Sequence, residues 1–571
     1  MLAFYRMFLL RIRDKIQDFF AARQVDILSA AMVLAASVLV SRILGLVRDR
    51  VLAHYFSGEE ISLYFAAFRI PDTLFEILVF GTLSAAFIPT FISYLSRGRQ
   101  KEAWTIAGIV MNLSLAAFVV LAAVVFFFAD SLSKFLAPGF SPSEISLMAQ
   151  LTKILLLVQG FFVLSFFLNG VLKSYQRFLI PAISPIFYNL GIIAGVVFLT
   201  PAAGIFAPAW GAVLGALLHF ILPLPFAIRF GFRPNFSFDF SHPGVSKILR
   251  LAAPRAIELI ALQILKASDL FFASLISTAS YAYLTFAQHL EMIPVSLFGL
   301  SMAEASLPAL SYKRGKNDFK RTFFLSFRQI LFLTLPIAAA FIVLRIPLVR
   351  LAFGAARFTW DSTVLTGYTL SVFAIGILGQ ALTLYFVRAF YALGNTTIPV
   401  TIGVADAFFN VALSAYFVLI LKLPVWGLAL AFAIAALIQA LVLGVILARW
   451  LKFSLIEFLA PLLRIGLAAF ASGSVMYLLL KILDRSAWDK QFLFLGKLAL
   501  PERWEIFVLD TRYTVNLLIL TIVVALVGFV VYFAACRLFG VKELAIFDQI
   551  WNRLPRLGKA HAPAQISEDE H

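Results

Sequence analysis

The chain has 571 residues, 62% of them hydrophobic and only 13% charged, with a net charge of +17 and a mean hydropathy of +0.95. A soluble chain of this length is nearer half apolar and a quarter charged, so a soluble globular fold is excluded and a polytopic helical membrane protein is required. Most of the basic excess sits in short loops between apolar runs, where it sets topology and does not call for nucleic acid as a partner. The one cysteine, Cys536, lies in an apolar run and leaves neither a disulfide framework nor a thiolate metal site.

The first segment, "MLAFYRMFLLRIRDKIQDFF", is broken by Arg6, Arg11 and Arg13 and has no small-residue cleavage site, so it is not read as a signal peptide. Phe4, Phe8, Ile12, Ile16 and Phe20 recur every four residues, which predicts an amphipathic helix on the cytoplasmic membrane surface over 1–27. Fourteen spans follow, near 28–47, 63–92, 103–129, 147–171, 180–200, 207–228, 248–276, 283–310, 323–344, 364–390, 398–421, 425–448, 456–482 and 514–536. Loops on the N-terminal side of the membrane carry Arg97, Arg99 and Lys101, then Lys173 and Arg177, then Arg229, Arg233 and Lys247, then Lys313, Arg314, Lys316, Lys320 and Arg321, and finally Arg449 and Lys452. The opposite loops "TPAAGIFAPA", "STAS" and "LKLP" have one lysine between them, which places both termini in the cytoplasm. The charged segment "DRSAWDKQFLFLGKLALPERWEIFVLDTRY" is expected on the outer surface, the tail 542–571 is expected to be cytoplasmic, and its polar end "RLPRLGKAHAPAQISEDEH" is expected to be disordered.

An internal duplication organises these spans. Gly81 pairs with Gly299 (299−81=218), Pro89 with Pro308 (219), Tyr94 with Tyr312 (218), Pro181 with Pro399 (218) and Trp210 with Trp426 (216). Each copy holds six spans, an even number, so the two copies share one orientation: an N-lobe over 28–232 and a C-lobe over 247–451. Such a pair around a midline cavity is a transporter architecture. The last two spans, within 455–541, lie outside the duplication.

The stretch "SRILGLVRDRVLAHYF" at 41–56 follows a lipid-grade run yet carries Arg42, Arg48, Asp49 and Arg50. The second span adds Arg69, Asp72 and Glu76, the seventh Arg255, Glu258, Lys266 and Asp269, and the eighth His289, Glu291 and Glu304. Charges inside a bilayer cost several kcal/mol and persist where they face a wet cavity or a partner. Arg42, Gly45 and Asp49 share a helical face, with Arg48 turned about 120° from Arg42. Arg50 and Arg97 fall near predicted interfaces and read as snorkelling ends. Arg255 with Glu258 and Lys266 with Asp269 are each three apart, the spacing of mutually neutralising pairs. Arg42, Arg48, Arg69 and Arg255 are expected to line the cavity, where a planar guanidinium suits phosphate or carboxylate. With apolar walls and an additional helix pair, this points to a transporter for an amphipathic anion. No H-E-x-x-H, P-loop or G-x-S-x-G is present, so an enzyme is not expected and ATP is not a direct driver within the chain.

At this point "SRILGLVRDRVLAHYFS", "YFAAFRIPDTLFEILVFGTLSAAFIPTFISYL", "APGF", "LNGVLKSYQRFLIPAISPIFYN", "LAFGAARFTWDST" and "RAFYALGNTTIPV" together resemble the lipid II flippases of the MurJ/MviN family, over about 28–541. The resemblance implies an all-α MOP-type fold of about fourteen transmembrane helices, two like-oriented six-helix lobes and a C-terminal helix pair forming a groove for a polyprenyl tail. It implies translocation of the undecaprenyl-diphosphate-linked peptidoglycan precursor from the inner to the outer leaflet of a bacterial cytoplasmic membrane. Membrane lipids and the cell-wall synthesis machinery are the further partners it implies.

Arg42, Arg48 and Asp49 match the family's first-helix motif, whose arginines are implicated in engaging the diphosphate, and Arg69 matches a basic second-helix position. Two departures stand out: Phe75 and Glu76 replace arginines that many members carry, and His289 stands where many have an eighth-helix arginine. Arg255 is the candidate to supply the missing charge. A flippase for another polyprenyl-linked glycan, or a MATE-like small-molecule exporter, remains the alternative. For a driver, an ion gradient or the membrane potential is expected, at about 2.3 kcal/mol per charge per 100 mV. In "IPVTIGVADAFFNVAL", Asp406 and Asn410 are four apart on one face, and Asp269 lies at comparable depth in the seventh span. These three could begin a sodium shell, and the resemblance agrees in placing sodium among the seventh, eleventh and twelfth helices of some members.

Overall fold

In the computed structural model the chain is described over residues 27–80, 87–233, 237, 239, 242–311, 315–484, 511 and 513–544, with backbone alone for 27–36, 249, 251–258, 316 and 455. The expected N-terminal amphipathic helix, most of the 484–513 connection and most of the polar tail lie outside these residues, as do the side chains of Arg255 and Glu258. Among the described residues every regular element is a helix.

In chain order these are α1 (Ile27–Tyr55), α2 (Gly58–Ala67), α3 (Arg69–Phe75), a π-helical turn (Glu76–Phe80), α4 (Ile88–Ser96), α5 (Gln100–Leu136) and α6 (Pro142–Ser174). Then come α7 (Leu179–Ala203), α8 (Ala207–Ile221), α9 (Leu224–Arg229), α10 (Pro243–Ile276), α11 (Ser280–Pro294), a second π-helical turn (Val295–Leu300) and α12 (Ser301–Ser311). The chain continues with α13 (Lys316–Val343), α14 (Arg345–Phe353), α15 (Trp360–Ala392), α16 (Thr397–Ala415), a third π-helical turn (Tyr416–Ile420), α17 (Trp426–Leu451), α18 (Leu455–Leu483) and α19 (Thr514–Leu538).

Eleven stretches among the described residues are long and apolar enough to cross a membrane, fewer than the fourteen spans expected. The first two expected spans account for part of the difference: the side chains of 27–36 in α1 lie outside the described residues, and the second span is cut into α2, α3 and α4 with Arg69, Asp72 and Glu76 inside it. The rest is that Leu179–Arg229 counts once although it doubles back. Gly204, at φ +53°, takes the left-handed conformation that reverses the chain between α7 and α8. The two helices then meet through glycine pairs four apart on each. A Cβ built on Gly191 would lie 2.3 Å from the Gly215 Cα, and one on Gly195 would lie 2.4 Å from the Gly211 Cα. Backbone on backbone at this distance is the small-residue packing of membrane helices.

By their contacts the helices fall into two units, one up to Leu290 with Ala352–Leu370 and Val400–Ala435, the other comprising Glu291–Leu351, Ser371–Pro399 and the chain from Ala436 onward. The first unit is cored by Phe75, Phe87, Phe91 and Phe167 with Ile106 and Val163. Phe87 meets Phe167 edge to face at 5.4 Å, a geometry worth about 0.5–1.5 kcal/mol beyond burial. In the second unit Phe323 stacks on Phe327 and Phe386, and the Tyr385 hydroxyl donates to the Phe323 carbonyl at 2.8 Å. There α18 and α19 are tied by the Ser472 hydroxyl donating to the Gly528 carbonyl at 2.7 Å, and the Tyr532 hydroxyl fixes α19 to α13 through the Phe332 carbonyl at 2.8 Å.

The duplication extends to local structure. The π-helical turns begin at Glu76 and Val295 (295−76=219), the offset that separates the paired prolines. Pro181 and Pro399 are each the third residue of their helix, in the first turn where proline has no hydrogen bond to lose.

Candidate functional site

Arg48, Asp49, Arg69, Asp72, Glu76, Lys266, Asp269 and His289 fall in the first unit, whereas Glu291 and Glu304 belong to the second. Arg48 and Asp49, adjacent on α1, form a paired contact: the Arg48 Nε and Nη2 donate to Asp49 Oδ1 at 3.0 and 2.7 Å. The other Asp49 oxygen, Oδ2, shares a 2.7 Å hydrogen bond with His289 Nδ1 on α11. Arg48 Nη1 also donates to Asn189 Oδ1 on α7 at 3.1 Å. The orientation of that amide is set by its own Nδ2, which donates to the Pro185 carbonyl at 3.2 Å. Asp49 is 1% exposed, and an ion so placed costs several kcal/mol to desolvate unless both oxygens are satisfied. Here both are.

A second cluster joins α3 and its π-helical turn to α10. Lys266 Nζ donates to both Glu76 oxygens, at 2.9 and 2.8 Å, and Gln263, one helical turn earlier, donates its amide to Glu76 Oε2. The Thr73 hydroxyl donates to Gln263 Oε1 at 3.2 Å. Arg69 lies 3.9 Å from Asp72 Oδ2, with Tyr281 close by, while Asp72 Oδ1 accepts from the Gln159 amide on α6. Arg69 is 12% exposed, and its Nε has no hydrogen-bond partner among the described residues.

Three expectations change. Lys266 does not pair with Asp269: tertiary contact with Glu76 takes the ammonium, and Asp269 faces the charge of Arg69. Glu76, read as a gap in the basic set, is an anchor within it. The cluster is also not net basic, because Arg48, Arg69 and Lys266 face Asp49, Asp72, Glu76 and Asp269. Arg42 stands apart from these pairs, exposed and with no partner among the described residues.

Two members of the expected cation set, Asp406 and Asn410, lie four residues apart on α16. Asn410 is buried and its Oδ1 accepts from the Ser414 hydroxyl at 3.3 Å, while Asp406, one turn earlier, is half-buried. Asp269, on α10, faces the charge of Arg69. Among the described residues no three His, Cys, Asp or Glu side chains are placed to hold a metal ion.

Asn189, Gln159, Gln263 and Tyr281 complete the site and were not singled out from sequence. The available signal was a lone amide within an apolar run, as in "LLLVQGFFVL" and "IFYNLGIIAG", which marks a polar group needing a partner.

The model of the lipid II flippase MurJ family matches residues 52–499. A probable lipid II flippase MurJ of Haemophilus influenzae is 28% identical over 480 residues, covering 80% of this chain and 93% of the relative. One from Buchnera aphidicola subsp. Acyrthosiphon pisum is 27% identical over 428 residues, covering 74% and 83%. Among solved structures, a lipid II flippase MurJ in an inward closed conformation superposes with a TM-score of 0.70 at 23% identity, covering 88% of this chain and 99% of that one. An inward-facing MATE multidrug resistance transporter of the MOP superfamily gives 0.62 at 16% identity, covering 73% and 96%. The two structures establish a MOP-type fold. Matched by the family's model across most of its length, the chain belongs to the lipid II flippase MurJ family.

Proposed function

We propose that this protein is a flippase that carries lipid II, the peptidoglycan precursor on a polyprenyl diphosphate, from the inner to the outer leaflet of the bacterial cytoplasmic membrane, with both termini in the cytoplasm. The observation that carries the reading is two guanidinium groups, Arg48 and Arg69, held by side chains from several helices in a chain of this family. Arg42, exposed and without a partner among the described residues, is the first contact for a diphosphate. Engagement of Arg48 then requires phosphate oxygens to compete with Asp49, an exchange of one charge-assisted fork for another. Depletion of the protein in cells tests the reading: lipid II is expected to accumulate on the inner leaflet, and an unchanged leaflet distribution contradicts it.

Two parts of the reading have their own tests. The charge-poor pair α18 and α19 holds the polyprenyl tail, so a photoreactive polyprenyl probe is expected to label these helices, and labelling confined to other helices counts against the groove. Sodium is the coupling ion, with Asp406 and Asn410 contributing oxygen ligands. Transport in sodium is therefore expected to exceed transport in choline at least several-fold, with Asp406→Ala removing the difference. Equal wild-type rates in the two buffers end that assignment.

A further inference from the structure

The second unit contains a cavity of about 260 Å³ where the start of α18, the middle of α13 and the chain just past α19 come together. Its wall carries three cations, Arg328, Arg464 and Lys542, and two carboxylates, Glu457 and Glu543. Both carboxylates are already engaged. Glu457 accepts from the Ser454 backbone N–H at 3.2 Å, closing the α18 capping box, and takes the Lys320 ammonium at 2.9 Å. Glu543, 7% exposed, faces Arg328 with Oε1 4.0 Å from Nε. That Nε is buried and has no hydrogen-bond partner among the described residues. Arg464 and Lys542, both exposed, have no partner among the described residues. The cavity therefore carries positive charge in excess of what its own carboxylates neutralise, beside the N-terminal turn of a 29-residue helix, where the backbone dipole adds to the attraction for an anion.

The surroundings tell what kind of anion fits. From the rim, Ile456, Leu459, Leu463, Leu467 and Phe470 run along one face of α18 at intervals of three and four residues, each more than half exposed. On a membrane helix such a face lies against acyl chains. A basic pocket at a helix end continuous with a lipid-facing apolar stripe is the arrangement that takes a lipid headgroup.

We propose that this cavity binds the phosphate of an anionic phospholipid, with Arg464 and Lys542 contacting the headgroup and the α18 stripe supporting an acyl chain. The site shares no residue with the Arg48 cluster, so it stands whether or not the chain moves lipid II.

The purified full-length protein, delipidated in detergent and titrated with phosphatidylglycerol or phosphatidylcholine, provides the test, with bound lipid counted by native mass spectrometry. Wild type is expected to retain phosphatidylglycerol in clear preference to phosphatidylcholine. Each surface charge removed is expected to weaken the anionic lipid about fivefold, so Arg464→Gln/Lys542→Gln should lose most of the preference. Both positions are exposed, and an unchanged thermal midpoint would separate lost binding from lost fold. Equal retention of the two lipids by wild type overturns the proposal, as does full preference in the folded double variant. Displacement of phosphatidylglycerol by millimolar inorganic phosphate, with no contribution from the acyl chains, overturns the lipid assignment and leaves a free-phosphate site.

Discussion

Arg48→Ala is expected to abolish complementation of a strain depleted of its own flippase while leaving the protein in the membrane. The side chain makes two bonds to Asp49 and one to Asn189, so its removal leaves a carboxylate that is 1% exposed with His289 as its remaining partner. Breaking one side of a buried pair costs about 3–5 kcal/mol, which by itself could reduce folded protein. The informative variant is therefore Arg48→Ala/Asp49→Asn, which removes both charges together and is expected to restore near-normal thermal stability. If Arg48 serves the substrate, the double variant still fails to complement. Full complementation by the folded double variant would mean that the pair is only structural. Arg48→Lys is expected to be intermediate, since an ammonium keeps the charge but cannot present the planar fork that reaches Asp49 and Asn189 together.

The largest effect on stability is expected at the glycine seam between α7 and α8. Alanine at Gly191 places a Cβ 2.3 Å from the Gly215 Cα, and alanine at Gly215 places one 2.5 Å from the Tyr188 carbonyl oxygen. No side-chain rotation relieves either contact, so the helices must separate, at about 1–3 kcal/mol for overpacking and more where backbone has to move. Helix propensity alone runs the other way, favouring alanine over glycine by about 1 kcal/mol. The sign of the change thus distinguishes seam packing from propensity. Gly191→Ala and Gly215→Ala should each lower the thermal midpoint by several degrees in detergent, whereas Gly45→Ala and Gly466→Ala, where an added Cβ meets nothing within 4 Å, should not. A midpoint that is unchanged or raised in Gly191→Ala would contradict the seam.

Much of this was legible before any coordinates. Composition and long apolar runs specify an all-helical membrane chain, and charges concentrated in the first two expected spans of each copy point to the helices that supply most of the site. Arg48, Asp49 and His289 were singled out from sequence, and they meet. What sequence spacing could not show was pairing across helices. Lys266 and Asp269 sit at the spacing of an intrahelical pair, but Glu76 offers two oxygens from the π-helical turn beside α10 and wins the ammonium. Likewise Glu76 looks like a lost arginine when aligned against a motif and like an anchor once its neighbours are known. The amides of Gln159 and Asn189 gave only a weak signal, because a lone amide in an apolar run reads equally well as a packed residue until its partner is seen. Arg69, Asp72 and Glu76 interrupt the expected second span, so it reads poorly as a single membrane helix although it supplies much of the site.

The most direct test of the central claim is reconstitution of the full-length protein into proteoliposomes with fluorescent lipid II and a membrane-impermeant quencher. The account expects lipid II to move between leaflets far faster than in protein-free vesicles, and Arg48→Ala/Asp49→Asn to return the rate to the protein-free value while remaining folded. Wild-type exchange no faster than in protein-free vesicles, or undiminished exchange by the folded double variant, would contradict it.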